Sequence, residues 1–562
     1  ILLMENHADP ELSQYSVIIV DEAHERSVNI DFTIGLLNTL LSGRRQHDLK
    51  IVVMSATLKP QFFSEYFGGA PIIEATAPVF PIDTLYMPAR EEGVDGLVDG
   101  VSRAVQKICR DHEEGDVLVF LPGADAIRRS VRKLRGLHIG TGLEVLPLYG
   151  RLSYEEQQRV FAKFPGKRKV ICSTNIAETS ITIDGVRFVV DSGVLKINSF
   201  IPSAGVSRLK ESFCSQASIE QRRGRCGRTA PGTCIRLYRE EDIPMRKRFE
   251  EAEILRRDLS EVMLRLIGLG IRNPNEFPFP QRPARRDVRS AMRVLRLISA
   301  IDEGNKLTKI GKALLSFPLE PRVGRMILEA GHHAPYVMDE VITVASFLST
   351  NTPYLMAPSR EEEDINRAEL EDKFGHRLGD PLVDINVFRA FCAAKDPEHF
   401  CTRWRLDLRS MLEIQRIHEQ LSQITEEHDF ELLSGGDPSL IVRCMAQAYP
   451  RFIFQRSGRR TYSNSAVYRV HIHPGSTLFH ELPEYIVAGE VMETTRIYAR
   501  KVGVLDRRAR KGMDLEEILA RPDSEPLPQS PGRKRRKLQW MQRSKEKQGQ
   551  NRRKGRKKGR RR

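Results

Sequence analysis

The chain has 562 residues, of which 40% are hydrophobic and 29% charged, and a formal net charge of +15. That length exceeds a single core and suggests roughly three to five domains, and no apolar run reaches the ~18 residues a membrane helix needs. The positive charge points to a polyanion, but residues 531–562 alone hold 17 Lys and Arg against one acid, Glu546. The rest of the chain is therefore close to neutral and has to bind a polyanion through local grooves.

In chain order, residues 1–240 repeat a short β-branched run, a polar turn and a helical stretch, the pattern of a parallel α/β fold. Strands are expected at residues 16–20, 50–54, 116–121, 169–172, 186–190 and 233–238, apolar on both faces as in a buried parallel sheet. The Pro-containing stretch 71–88 divides two such sheets, and the first begins in mid-fold. From about residue 240 apolar residues recur at helical spacing, as in Leu255, Leu259, Val262, Met263 and Leu266, then Val294, Leu295, Leu297 and Ile298. A Pro-rich break at 274–283 separates these stretches. Further helices are expected at 323–330, 338–348 and 397–421, with an acidic mobile loop at 360–372. Short β-type runs return at 451–454, 466–472 and 485–494 and suit a small antiparallel barrel. Beyond residue 522 the Pro, Ser, Lys and Arg content predicts disorder. The eight cysteines are scattered without zinc spacing, which fits a reducing compartment. A first residue of Ile1 and the absence of a signal peptide suggest a fragment boundary.

The strongest chemical signal follows the first strand, where Val17-Ile18-Ile19-Val20 runs into Asp21-Glu22-Ala23-His24. Two carboxylates at the C-terminal end of a parallel strand sit where open α/β sheets bind ligands. A hard cation such as Mg2+ takes oxygen ligands, so Asp21 can hold it while Glu22 orients an attacking water. A capping acid before a helix is the plain alternative. Ser55-Ala56-Thr57 ends the next strand. Residues 173–180 follow a later strand, and Gln221-Arg222-Arg223-Gly224-Arg225-Cys226-Gly227-Arg228 comes after it. Arg at every third position can set fixed planar charge against a phosphate, or simply form a solvated basic face.

These four motifs, in this order, resemble the DEAH-box group of superfamily 2 helicases, and the likeness extends to about residue 510. The resemblance implies an α/β fold of two RecA-like domains with winged-helix, helical-bundle and barrel domains after them. Residues 1–77 would be the C-terminal part of RecA-like domain 1, 78–240 RecA-like domain 2 and 241–315 a winged helix. Residues 316–434 would be a ratchet-like bundle, 435–515 an OB-like barrel and 516–562 a disordered basic tail. It further implies that Asp21 and Glu22 serve Mg2+ and the water, that His24 couples to Gln221, and that Arg225 and Arg228 are arginine fingers on ATP. Phe161 would stack on the base, tolerating other nucleoside triphosphates, although a core aromatic is as good a reading of it. Thr182, Asp184 and Gly224 would complete the nucleotide site, and Ser55 and Thr57 would couple it to the nucleic acid. Gly123, Thr174 and Asn175 would meet the sugar-phosphate backbone, and residues 193–213 would form a strand-separating hairpin.

The resemblance thus implies 3′ to 5′ movement on single-stranded RNA and remodelling of RNA duplexes or complexes, while the lack of a long apolar run argues against a membrane and the cysteine usage suggests a cytoplasmic place, or a nuclear or nucleolar one in a eukaryote. A protein activator is expected at the barrel. The chain contains no G-x-x-x-x-G-K-[ST] phosphate loop, so on its own it is expected to hydrolyse ATP poorly, as a fragment of a competent helicase. A non-hydrolysing nucleic-acid scaffold and a DNA helicase are the alternatives.

Overall fold

The computed structural model describes residues 2–55, 60–75, 80–137, 142–178, 181–202, 204–228, 230–271, 273–357 and 360–520. In the first lobe, strands Val17–Val20 and Lys50–Val53 pair in parallel, with Val17 beside Lys50 and Val20 beside Val53. Helices Val28–Leu41 and Pro60–Tyr66 cover one face, burying Ile18, Val20, Ile34, Leu37 and Phe63. The other face is open: Val17, Ile19 and Val52 are exposed. The expectation of strands buried on both faces fails here, because both helices pack on the same side.

The second lobe is a six-stranded, all-parallel sheet in the order Ile82–Tyr86, Gly232–Arg236, Val186–Asp191, Asp116–Phe120, Arg168–Ser173 and Leu143–Leu148. Here both faces carry apolar clusters, one built on Val117, Val119 and Val190, the other on Leu118, Phe120 and Val189. The two edge strands were not anticipated from the sequence. Ile82–Tyr86 lies inside the stretch read as a divider, and Leu143–Leu148 contains Pro147. Edge positions tolerate both Asp83 and Pro147, so these runs lack the apolar continuity of central strands.

From Asp191 the chain enters a hairpin, Val194–Ile201 paired antiparallel with Val206–Phe213. Its second strand joins the C-terminal barrel, with Ser207 beside Met492 and Arg208 beside Glu493. The barrel has five strands, Ile453–Arg456, Tyr462–Ser463, Val470–Ile472, Tyr485–Glu493 and Ile497–Val504, closed by pairing of the first with the fourth.

Between hairpin and barrel lie helices Ser260–Gly268, Arg285–Leu297 and Lys309–Leu314, then a bundle that starts with Pro321–His333 and Met338–Ser349. Two corrections arise in the bundle. The acidic segment expected to be a mobile loop is helix Arg360–Phe374, since Glu, Asp, Arg and Lys at exposed positions suit a helix as well as a loop. The single helix expected over 397–421 is two, Pro397–Trp404 and Leu408–Glu427, separated where Arg405 turns left-handed at φ 51°. Of the segment read as a disordered tail, residues 516–520 belong to helix Leu515–Ala520, and the remainder lies outside the described residues.

One largely buried arginine joins three of these parts. Arg322 donates to Asp258 Oδ2 at 3.0 Å and to Glu320. Its guanidinium also lies 5.5 Å from the Tyr449 ring and 5.4 Å from the Phe452 ring. The first lobe is seated as closely: a Cβ on Gly35 would come within 2.4 Å of the Phe277 ring, so only glycine permits this helix to approach residues 277–279.

Candidate functional site

The Asp-Glu-Ala-His loop leaves the end of strand Val17–Val20. Ala23 N–H donates to Met54 O at 3.0 Å, which ties the loop to the end of the neighbouring strand. Glu22 is held left-handed at φ 50°, a conformation that costs a non-glycine residue about 1 kcal/mol or more and persists where the surroundings impose it. Its N–H donates to Asp21 Oδ1 at 2.7 Å, and its side chain stays half exposed at 54%. His24 Nδ1 lies 3.2 Å from Glu22 Oε2, an ion-pair distance without hydrogen-bond alignment. Neither ring nitrogen of His24 makes a hydrogen bond. The coupling expected between His24 and Gln221 is therefore not made as a direct bond in this structure.

In the second lobe, helix Gln216–Gly224 starts at Ser215, whose hydroxyl accepts from Ser218 N–H. The arginines that follow divide their work. Arg222 is buried, donating to Glu178 Oε2 at 2.8 Å and Asp191 Oδ1 at 2.9 Å, with the Phe120 ring 4.9 Å away. Arg223 pairs with Glu220 at 2.7 Å. Arg225 donates to the carbonyls of Ile181, at 3.1 Å, and Glu178, and Arg228 donates to Thr182 Oγ1 at 2.7 Å. Burial and the neighbouring Arg228 charge push the Arg225 guanidinium down to about 10, while Glu178 and Glu22 favour its charged form. Two neighbouring guanidiniums held on neutral oxygens, with no acid paired with either among the described residues, have the chemistry to take an anion. Of the first lobe's charges, Glu22 is the one that bears on Arg225.

Glu178, Asp191 and Arg222 were missed in the sequence. Glu178 also accepts from Ser218 Oγ at 2.6 Å, and Asp191 from Tyr238 Oη at 2.9 Å and Gly193 N–H at 2.9 Å. Their signal was the presence of a Glu and an Arg inside the two motifs, but nothing local says which Arg turns inward.

Other candidate positions sort clearly. Phe161, in the turn Arg159–Phe161, is 47% exposed, which removes the core reading and leaves a ring face open. Thr182 engages Arg228 as above, Asp184 is exposed beside Gly185, and a side chain at Gly224 would meet nothing within 4 Å. Gly123 caps helix Ala124–Arg135, and a Cβ there would lie 3.2 Å from Lys196 Nζ of the hairpin. Thr174 N–H donates to Leu148 O at 3.1 Å, and Asn175 beside it is exposed. Ser55 is exposed at the end of its strand, whereas Thr57 lies outside the described residues.

A cation at the loop has limited protein ligation. Among the described residues no three His, Cys, Asp or Glu side chains converge, and one oxygen of Asp21 already accepts from Glu22 N–H. That donor set fits Mg2+, which keeps most of its waters and shares phosphate oxygens.

A second feature has no counterpart in the motifs. A cavity of about 1100 Å3 opens between the hairpin, the helical domains and the barrel, lined among others by Arg151, Asn198, Arg256, Thr350, Arg405 and Lys501. Lys501 Nζ lies 2.6 Å from Asp384 Oδ2, and Tyr354 Oη donates to Asp384 Oδ1 at 2.8 Å. Asp380, one turn earlier, accepts from Ser476, Thr477 and Val502 of the barrel. His473 also lines the cavity, and burial together with Arg500, Arg151 and Arg367 pushes its imidazole down to about 4.

Three family models match the chain: the helicase conserved C-terminal domain over residues 100–230, the ratchet-like helicase associated domain (HA2) over 320–383, and the oligonucleotide/oligosaccharide-binding (OB) fold over 441–508. ATP-dependent RNA helicase HrpA of Borreliella burgdorferi is 37% identical over 90% of this chain and 61% of its own length. HrpA of Escherichia coli is 34% identical over 90% of this chain, which spans 39% of that relative. ATP-dependent RNA helicase DHX33 of Mus musculus is 33% identical over 90% of this chain and 73% of its own length. Among solved structures, the E. coli DExH-box NTPase HrpB superposes with a TM-score of 0.70 at 26% identity, covering 91% of this chain and 57% of that one.

Proposed function

The chain belongs to the DEAH-box group of superfamily 2 RNA helicases, and from that premise we propose that it forms the motor core of an ATP-dependent helicase acting on single-stranded RNA. The observation that carries this reading is the seating of Arg225 and Arg228 on neutral oxygens of the second lobe, with the Asp21-Glu22 loop at the C-terminal end of a parallel strand in the first. A triphosphate bound there would meet carboxylates from one lobe and guanidiniums from the other.

In the proposed reaction, Glu22 orients a water and takes its proton as the oxygen attacks the γ-phosphorus. The bond to the β-phosphate oxygen breaks, giving orthophosphate and ADP. Arg225 and Arg228 neutralise charge on the phosphoryl oxygens, the electrostatic contribution that dominates such transfers. Mg2+, held by Asp21 and water, would neutralise the β- and γ-phosphates. Phe161 stacks on the base, Thr182 and Asp184 meet the ribose, and Gln221 steadies the water with His24 relaying closure. A stacked base is held without being read, so other nucleoside triphosphates are accepted.

Opening and closing of the gap would move the second lobe and its hairpin against the 1100 Å3 cavity; RNA runs through this cavity and, on the second lobe outside its lining, sets its backbone against Gly123, Thr174 and Asn175. Ser55 and Thr57 link this path to the nucleotide, and successive closures carry the RNA in the 3′ to 5′ direction. The preference for RNA over DNA draws on the activity of the relatives, since backbone contacts alone do not read sugar identity unless they meet the 2′-hydroxyl. Residues 533–562 act as a nonspecific basic tether for RNA, a protein activator docks at the barrel, and the protein works in the cytoplasm, or in the nucleus or nucleolus of a eukaryote.

The test is an ATPase assay of the complete reading frame, with and without single-stranded RNA, beside Glu22→Gln. RNA stimulation that vanishes in the variant supports the motor, and equal rates in the two proteins refute the role of Glu22. Replacing the RNA by DNA of the same sequence decides the sugar preference.

A further inference from the structure

The chain enters the second lobe through Phe80, Pro81 and Ile82, and this segment runs against the end of the arginine motif. Phe80 N–H donates to Gly227 O at 3.2 Å, and Gly232 N–H donates to Pro81 O at 3.1 Å. Ile82 then pairs with Gly232 as the first residue of the edge strand Ile82–Tyr86. Residues 80–82 are thus bonded to Gly227 and Gly232, which flank Arg228 in the chain. The far end of the strand touches the motif again: Arg236 donates to Tyr86 Oη at 3.2 Å and to Glu220 Oε1 at 2.6 Å, and Glu220 precedes Gln221 on helix Gln216–Gly224.

Gly227 is buried and has no room for a side chain. A Cβ there would lie 2.5 Å from Ile82 Cδ1, 2.6 Å from Ile82 Cγ1 and 3.1 Å from the Phe80 carbonyl oxygen, whereas carbon atoms pack best at about 3.5 Å or more. Gly227 does not have a left-handed φ, so contact alone demands glycine. Ile82 is stiff at its branched Cβ and packs on the cluster of Leu118, Val189, Cys226 and Cys234, which keeps it from swinging aside. From the other side, a Cβ on Gly232 would run into the carbonyl of Cys226. The loop is pinned from both sides, with Arg225 and Arg228 within two residues of the pinch.

We propose that Gly227 is a positioning residue for the phosphate-binding arginines and that Ile82 is its bearing: the segment by which the chain crosses between the lobes sets where Arg225 and Arg228 stand. The inference rests on the helicase reading and adds to it two residues that act only through those arginines. A side chain at Gly227 has to displace the loop or the strand by about 1 Å, and misplacement on that scale costs a catalytic group about 10²-fold in rate. Arginines that meet charge developing during phosphoryl transfer act on turnover, so the loss falls there and not on nucleotide binding. A glycine kept for packing alone would lose stability and both kinds of nucleotide contact together.

The experiment compares G227A, I82A and G227A/I82A with the parent, each in the complete reading frame with single-stranded RNA. It measures turnover, KM for ATP, thermal midpoint, and binding of fluorescent ADP with and without aluminium fluoride, a mimic of the transferred phosphoryl group. We expect G227A to lower kcat about 100-fold, to weaken binding of the fluoride complex by a similar factor, and to leave KM and ADP binding within about twofold. Truncating Ile82 frees the space, so the double variant should regain about tenfold or more of the lost turnover. Turnover of G227A equal to the parent's overturns the proposal, as does a double variant with an intact midpoint that is no faster than G227A. Equal weakening of ADP and of its fluoride complex in G227A assigns Gly227 to packing alone and overturns it too; this readout decides the matter where I82A does not fold. A parent without RNA-stimulated turnover overturns the helicase reading, and the positioning role with it.

Discussion

Arg222 and Glu178 are joined through Nε and Oε2 at 2.8 Å, with the arginine side chain 1% exposed. This bond fastens the helix that presents Arg225 and Arg228 to the loop whose carbonyls hold Arg225, so the site is braced from behind by a residue of the same motif.

Arg222→Ala and Arg225→Ala should therefore fail in different ways. The first strands the buried carboxylates of Glu178 and Asp191 and should cost about 3–5 kcal/mol of stability, seen as a lower denaturant midpoint. The second should leave the midpoint nearly unchanged and, in the complete reading frame, lower ATP turnover by a factor of about 10³ or more. Similar midpoints for the two variants would contradict the division of labour.

Phe161→Ala removes an exposed ring and should weaken nucleotide binding about tenfold, by the same factor for ATP and GTP because stacking does not read the base edge. Titration with fluorescent analogues of both measures this. A selective loss of one nucleotide would mean that Phe161 sits against a base edge and not a face.

His473 gives the protein a sensitivity to acid. Its folded-state value is about 4, below the ordinary 6.5, so the fold favours the neutral ring and gains nothing from it above pH 6.5. As pH falls from about 6.5 towards about 4 the unfolded chain takes up the proton first, and stability drops by on the order of 2 kcal/mol. Chemical denaturation at pH 7 and pH 4.5 should show that extra loss in the parent chain and not in His473→Gln. Equal losses would assign the effect to neighbouring carboxylates.

The Arg208–Glu493 pair, 2.7 Å apart and partly buried, joins the hairpin of the second lobe to the barrel. Arg208→Glu should loosen this seam and the R208E/E493R double variant should restore it. The coupling energy in a double-mutant cycle is expected to be about 1 kcal/mol. Additive effects would show that the strand pairing alone holds the hairpin.

The sequence by itself determined the four motifs, the parallel α/β character of the first 240 residues, the hairpin and the C-terminal barrel. Each of these is written in contiguous residues: Val17-Ile18-Ile19-Val20 running into Asp21, or a β-branched run followed by a turn. The edge strands Ile82–Tyr86 and Leu143–Leu148 escaped because an edge needs less apolar side chain than a centre. Which arginine of 222, 225 and 228 turns inward was decided only when Asp191 and Phe120, from other strands, arrived behind the helix. The cavity likewise draws on residues from Gly150 to Lys501. Local propensity is set within a few residues, whereas a groove and its charge are set by which distant segments the cores bring together.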